Sequence, residues 1–288
     1  SEQVFGSINS SMQNWGSSHP SMDVTSGDNM YFFDSQSAKA IRDSVNGMVP
    51  ISCNKDSGND PYKMDNTFRK IAKKVRDNPS RYELLGVWDG FIKCWVFTVR
   101  DLKKTDTKDE SVTLIFHEPT NRWKSKMSYV PEWYENIGDV TVSFKDGNLW
   151  RHYADPDNRV TYYGVKYPQE WAVICNLGFS TRKVFNNIKI DSNIPWDCDI
   201  TIPPTATYPS GMKSQLLKEQ FENLEGGGFF SSFAKDMNTP GITNPTLALV
   251  NGRELRGEVM RVLLTNNEKN VASLRSVTIF VEPSEQTN

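Results

Sequence analysis

The side chains that could do chemistry in this chain are scattered, and their spacing limits what they can do together. His19, His117 and His152 lie far apart and none falls in a metal spacing such as HxxxH, so they read as polar residues of strand ends and loops. Cys53, Cys94, Cys175 and Cys198 form no CxxC pair, and four scattered cysteines in 288 residues read as buried thiols from a reducing compartment. Asp155-Pro156-Asp157-Asn158 resembles a fragment of a carboxylate calcium loop but lacks its glycine and its distal glutamate, so it reads as a solvated turn. Gly226-Gly227-Gly228 is followed by Phe229-Phe230 where a phosphate loop needs Gly-Lys-Ser/Thr, and reads as a flexible joint. No nucleophilic triad, zinc site or nucleotide fingerprint can be assembled. The reading is of a non-enzymatic chain with no catalytic residue, no metal ligand and no cofactor.

Two groupings carry a binding reading. Glu132, Glu135 and Asp139 lie near Trp133 and Tyr134, and a glycosidase needs paired acids beside its substrate. Acids flanking aromatics are common without catalysis, and the aromatics of Tyr129–Tyr134, read as exposed, could stack on sugar rings or pack against a neighbouring subunit. Packing is the default for Trp and Tyr where no pocket signature exists. Tyr129, Trp133 and Tyr134 are therefore the candidate subunit or glycan contacts. The second grouping is the basic set Arg69, Lys70, Lys73, Lys74 and Arg76, which could touch nucleic acid or an acidic partner but reads as a solvated helix face.

These residues are positioned by short strands. Val112–Phe116 and Arg122–Met127 flank a turn at Glu118–Asn121, and Val140–Phe144 and Leu149–Tyr153 flank Lys145–Asn148. Asp146-Gly147 there is a hairpin signal, since a type I′ turn needs positive φ at both central residues. Upstream, Asn29–Asp34, Ala38–Arg42 and Met48–Ile51 form a first antiparallel unit, and Leu84–Trp88 turns at Asp89-Gly90 into Phe91–Val99. Downstream strands are expected at Arg159–Tyr163, Glu170–Cys175, Thr181–Phe185 and Cys198–Ile202. Met64, Phe68, Ile71, Ala72 and Val75 recur at helical spacing and predict a helix near 63–76, ended by Asn78-Pro79, after a polar break at Asp56–Pro61. Met212–Glu225 reads as helical or extended. Val259–Leu264 and Ser276–Val281 are closing strands expected to pair with the region 181–202.

About a dozen short strands with one helix before residue 203 predict a mainly β fold. Antiparallel hairpins would form partial β-propeller-like blades over 1–176, and a β-sandwich-like sheet would follow over 177–288, with a linker at 203–245. The net charge of −2 gives no global argument for nucleic acid or an anionic membrane. No apolar run approaches the roughly 20 residues of a membrane helix. The opening SEQVFGSINS lacks a signal-peptide pattern, and serine at position 1 leads us to expect a processed chain or part of a longer one.

Two long segments carry a family resemblance. GDNMYFFD at 27–34 is followed by IRDSVNGMVPIS at 41–52 and by NRWKSKMSYVPEWYENIGDVTVSFKDGNLWRHYADPDNRVTYYGVKYP at 121–168. Trp123-Lys-Ser125, Val130-Pro-Glu132, Ser143-Phe-Lys-Asp-Gly147, Tyr162-Tyr-Gly164, Lys183-Val-Phe185, Leu255-Arg-Gly257 and Phe280-Val-Glu-Pro-Ser284 complete the pattern. Together and in this order they resemble the tail structural proteins (nozzle, muzzle and stabilisation proteins) of crAss-like short-tailed bacteriophages. The resemblance runs from Gly27 onward; the helix near 63–76 and the loop 101–110 are longer than the family pattern. It implies a virion protein of the tail, assembled in the host bacterial cytoplasm, with copies of itself in a ring and other tail or portal-proximal proteins as partners. Such a ring or tube would cap or line the channel for genomic DNA ejection, and this chain would be a C-terminal portion of a muzzle-like polypeptide. The alternative from the residues is a carbohydrate-binding adhesin or depolymerase domain using Trp133 and Tyr134.

Overall fold

A computed structural model describes residues 15–53, 64–105, 107–155, 158–178, 181–242, 247–248, 251–269 and 271–284. The expected polar break at 56–61, most of the N-terminal loop and parts of the expected turns at 155–158 and 236–245 lie outside the described residues. Contacts divide the chain into two compact units, Ser1–Ala154 and Asp155–Asn288. The sequence-based division fell at 176/177, whereas the segment 169–175 takes its strand partner from the second unit.

The first unit is built from three antiparallel sheets whose strands follow one another in sequence. β1 (Val24–Ser26), β2 (Asn29–Asp34), β3 (Lys39–Ser44) and β4 (Gly47–Pro50) form one meander. β5 (Tyr82–Asp89), β6 (Cys94–Asp101), β7 (Val112–His117) and β8 (Arg122–Met127) form a second, and β9 (Trp133–Ile137), β10 (Val140–Lys145) and β11 (Asn148–Arg151) a third. Between the first two lies α1 (Asp65–Asp77), which buries Phe68, Ile71, Ala72 and Val75, the residues whose spacing predicted it. Asp65 in its first turn and Lys74 and Arg76 in its last complement the helix dipole.

The middle sheet explains why β6 reads as a near-continuous apolar run. Cys94–Val99 are all buried because both faces of the sheet are covered. On one face Trp95, Phe97, Val99, Leu114 and Phe116 share a core with Tyr31 and Phe33 of β2 and with Phe68 of α1. Tyr31 stacks between Trp88 and Trp95, with ring centroids 5.6 and 5.5 Å away. The other face carries Thr98 and Thr113, which are bonded to the segment leading into and through β9.

The second unit is sandwich-like. β14 (Gln169–Cys175), β16 (Asp197–Ile202), β17 (Met212–Leu216) and β21 (Met260–Asn266) make a sheet in the order β14-β21-β16-β17. β15 (Lys183–Ser192) pairs on one side with β22 (Leu274–Pro283) and on the other with β19 (Phe229–Ser232) and β20 (Arg256–Gly257); β18 (Glu222–Asn223) lies beyond β19. Phe185, Ile188 and Ile190 from one sheet and Cys198, Ile200, Val262 and Leu264 from the other share one core. The closing strands thus pair with the region 181–202, as the sequence led us to expect.

The fold is mainly β with one α-helix among the described residues, but several expectations need correction. The strand expected at Arg159–Tyr163 shrinks to β12 (Thr161–Tyr162), which pairs with β13 (Val165–Lys166) across Tyr163-Gly164, both at positive φ. A five-residue strand cannot lie extended where the chain reverses that tightly. Of the two readings of Met212–Glu225 the extended one holds, with β17 and β18 around a short 3-10 turn, because Met212, Ser214 and Leu216 alternate into the core. The strand β9 was not foreseen: Tyr134 alone of its five residues is buried, and the exposed Trp133 and Ile137 break any apolar alternation.

Candidate functional site

The segment from Tyr129 to Tyr153 is where the candidate contacts converge. Asp146 and Gly147 have φ of 52° and 75°, the type I′ pattern, and set β10 against β11 in the register Phe144↔Leu149 and Val142↔Arg151. β9 joins the other side with Trp133↔Phe144, Glu135↔Val142 and Ile137↔Val140. Opposed residues share a face, so Trp133, Phe144 and Leu149 form one cross-strand row.

That row faces outward. Trp133 is 43 % exposed, Phe144 42 % and Leu149 54 %. The inward face carries Tyr134, Ser143 and Thr141, all buried. An antiparallel sheet with one solvated side ordinarily keeps its apolar row inside and its polar row out. Here that order breaks at one end: Trp133, Phe144 and Leu149 lie outward while Thr141 and Ser143 are buried, although Val142, on the face of Phe144, is buried too.

The polar interior is sustained because its groups bond one another. The Tyr134 hydroxyl lies 2.8 Å from Thr98 Oγ1, which is 2.9 Å from Thr113 Oγ1, and Thr113 donates to the Tyr129 carbonyl at 2.6 Å. Ser143 Oγ meets His152 Nε2 at 2.8 Å, and the Tyr129 ring packs edge-on against His152 at 5.2 Å. Tyr153 donates to Asp89 Oδ2 at 2.8 Å, while Asp89 Oδ1 accepts the backbone N–H groups of Phe91 and Ile92. Burial lowers the His152 pKa, opposed by the nearby Asp89 charge. Ser143 is fully buried, so its bond to His152 closes a core network and offers no accessible nucleophile.

The three predicted contact residues therefore part company. Tyr129 and Tyr134 are core residues, which corrects the expectation that the whole stretch is exposed; Trp133 alone of the three is exposed. Sequence pointed to the aromatics but not to their facing, because the strand that separates Trp133 from Tyr134 was not recognised. Phe144 and Leu149, the neighbours of Trp133 in the row, were missed as surface residues; the Asp-Gly turn register was the signal that pairs them.

Of the nearby acids, Glu132 is held 3.4 Å from Arg100 Nη2, and Arg100 Nη1 also reaches Glu83 at 3.0 Å. Cavities of about 370 and 400 Å³ lie in the second unit, and neither is lined by Glu132, Glu135 or Asp139. Among the described residues no three of His, Cys, Asp and Glu converge in a way that could hold a metal ion. No helix among them is long and apolar enough to cross a membrane.

The basic helix face is partly neutralised within the chain. Arg69 pairs with Asp65 at 2.8 Å, Lys73 with Asp77 at 2.5 Å and Lys74 with Glu110 at 3.1 Å, and Arg76 donates to the Ser35 carbonyl at 2.6 Å. Glu110 also accepts from Tyr82, and these bonds, the tyrosine's first, hold its pKa down at about 2. Three of the five basic residues are thus paired with carboxylates, which lowers the charge this face offers a polyanion.

Residues 157–234 match the family described as the Crassvirus muzzle protein C-terminal domain. The match falls within the second unit and supports the resemblance drawn from the motif order, to the C-terminal portion of a crAss-like phage tail muzzle protein. It suggests a phage virion structural protein of the tail. A comparison with curated proteins finds no match.

Proposed function

We propose, for a chain whose residues 157–234 match the muzzle C-terminal domain, a mechanical role in the phage tail: a subunit of a homo-oligomeric ring or tube that caps or lines the DNA ejection channel. The family match carries this reading. The outward apolar row Trp133, Phe144 and Leu149 supports it, because a sheet face of that composition gains by being covered. Covering it with another sheet would continue the face-to-face stacking already present in the first unit, in the manner of propeller blades. The residues then act by packing, and Trp133 is the contact we assign to a neighbouring subunit.

The reading is tested by mass spectrometry of purified particles and of tails separated from capsids. The chain is expected in the tail fraction in several copies per particle. Its absence from the particle, or recovery only from host lysate, would overturn the assignment. Tight glycan binding lost on Trp133→Ala in an otherwise assembled tail would replace subunit packing with sugar recognition at that row.

A further inference from the structure

The face of β9–β11 that carries Trp133, Phe144 and Leu149 also carries one acid and one base, placed on either side of the central strand. Val142 of β10 is in register with Glu135 of β9 on one side and with Arg151 of β11 on the other. Directly opposed residues point to the same side of a sheet, so these three form a second row beside the first, two residues along each strand. Val142 is buried, whereas Glu135 and Arg151 are exposed.

Neither charge is answered within the chain. The two strands lie two strand spacings apart, roughly 9.5 Å at the backbone, and no ion pair joins Glu135 to Arg151. Among the described residues neither takes part in any ion pair: the Glu135 carboxylate accepts only the adjacent Asn136 N–H, at 3.2 Å, and the Arg151 guanidinium has no bonded partner. By contrast Arg42, Arg69, Arg81 and Arg100 of the same unit each pair with a carboxylate.

A face built this way is complementary to itself. A second copy turned about a two-fold axis that runs along β10, midway between two stacked sheets, brings its β9 over β11 of the first copy and its β11 over β9. Glu135 of each copy then meets Arg151 of the other, and Trp133 of each meets Leu149 of the other. Phe144 and Val142, on the central strand, meet their own counterparts at the axis. An axis across the strands would instead set Glu135 against Glu135 and Arg151 against Arg151. Like charges repel, so charge selects the axis along β10.

We propose that this face packs against the same face of a second copy, with Glu135 over Arg151 on both sides of the axis. Such a contact is isologous and joins copies in pairs; the pair is then the unit that an array about the tail axis repeats. Two rows across three short strands cover less than the roughly 800 Å² per partner of a stable complex. The contact is therefore weak between free chains and is strengthened where many copies are held side by side. This inference rests on the self-association proposed above, and adds which surfaces meet, how they are turned and which charges select them.

The test is sedimentation equilibrium of the full chain, with Cys53→Ser to exclude chance disulfides, at low ionic strength, where exposed pairs are least screened. Concentrations run up to about 1 mM, which half fills a contact of millimolar Kd. Reversible dimers are expected. Glu135→Arg and Arg151→Glu should each weaken dimerisation at least tenfold, because each sets like charges together on both sides of the axis. An equimolar mixture of the two variants should recover it as a heterodimer, since every charge then meets its opposite. Val45→Lys, at an exposed turn of the same unit, should leave the dimer unchanged. Circular dichroism of each variant should stay that of the parent; where a reversal alters it, Glu135→Gln with Arg151→Gln in one chain takes its place and should weaken dimerisation at least threefold. A chain that stays monomeric throughout, dimers indifferent to these changes, or a mixture no more associated than its separate components would each overturn the proposal. Finding the chain in tails by mass spectrometry despite such a result would leave the tail role standing and remove only this contact.

Discussion

Splitting Trp133 from Tyr134 gives a quantitative prediction for two adjacent residues. Tyr134 is buried, and its hydroxyl lies 2.8 Å from Thr98 Oγ1, which keeps Thr113 as a second partner. Tyr134→Phe removes one hydrogen bond without orphaning Thr98, so it should cost about 1 kcal/mol. Tyr134→Ala also empties the space of a ring between two sheets and should cost about 3–5 kcal/mol. Trp133→Ala, on the outward face, should cost under about 1 kcal/mol in the isolated chain. Because two units need not unfold as one, the assay is native-state hydrogen exchange read by mass spectrometry on peptides covering β5–β11. The expected order is Tyr134→Ala, then Tyr134→Phe, then Trp133→Ala. A loss of opening free energy for Trp133→Ala equal to or above that for Tyr134→Ala would refute the assignment of the two faces.

Three further predictions concern acid and backbone. Arg81 Nε and Nη2 reach Asp101 Oδ1 and Oδ2 at 2.9 and 2.7 Å, and this pairing above all holds the Asp101 pKa down at about 2. Its contribution is present above the ordinary carboxylate value of 3.8 and is lost as pH falls from there toward 2. Asp101→Asn should flatten that acid limb of an unfolding titration by on the order of 1 kcal/mol, after allowance for screening at the partly exposed Arg81. His152, whose pKa is lowered chiefly by burial, binds its proton less well folded than unfolded, so the stability it confers is present above about pH 6.5 and falls as the folded group is protonated below that. Replacing it with glutamine should make stability over that window less dependent on pH, as urea titrations at several pH values would show. Gly211 sits at φ +66°, and a Cβ there would lie 2.5 Å from the Ile202 carbonyl oxygen. Gly211→Ala should therefore cost well over about 1 kcal/mol, and thermal melting with local exchange at β16–β17 checks it.

Much of the fold could be read in the sequence because its signals are local. The helix showed itself in Phe68, Ile71, Ala72 and Val75, and the hairpin β10–β11 in Asp146-Gly147, since each signal is set by neighbours a few residues away. The motif order pointed to the phage tail family, and the match at 157–234 supports it. What could not be read depends on non-local pairing. The register of β9 on β10 is local, closed by Gly138-Asp139, but which face turns inward depends on the bond from Tyr134 to Thr98, 36 residues away. The sheet order of the second unit likewise exists only once β15 and β21 have chosen their partners, a choice made across about 90 residues between β14 and β21.

The proposed role makes this chain a structural subunit of the tail, present in multiple copies that touch one another. The most direct measurement is a cryo-electron microscopy map of the intact particle, searched separately with the first and the second unit. Both units are expected in the tail, repeated by rotation about its axis, with the row Trp133, Phe144 and Leu149 against a neighbouring subunit. A map in which the chain is absent from the tail, or present as one copy with that row facing solvent, would contradict it.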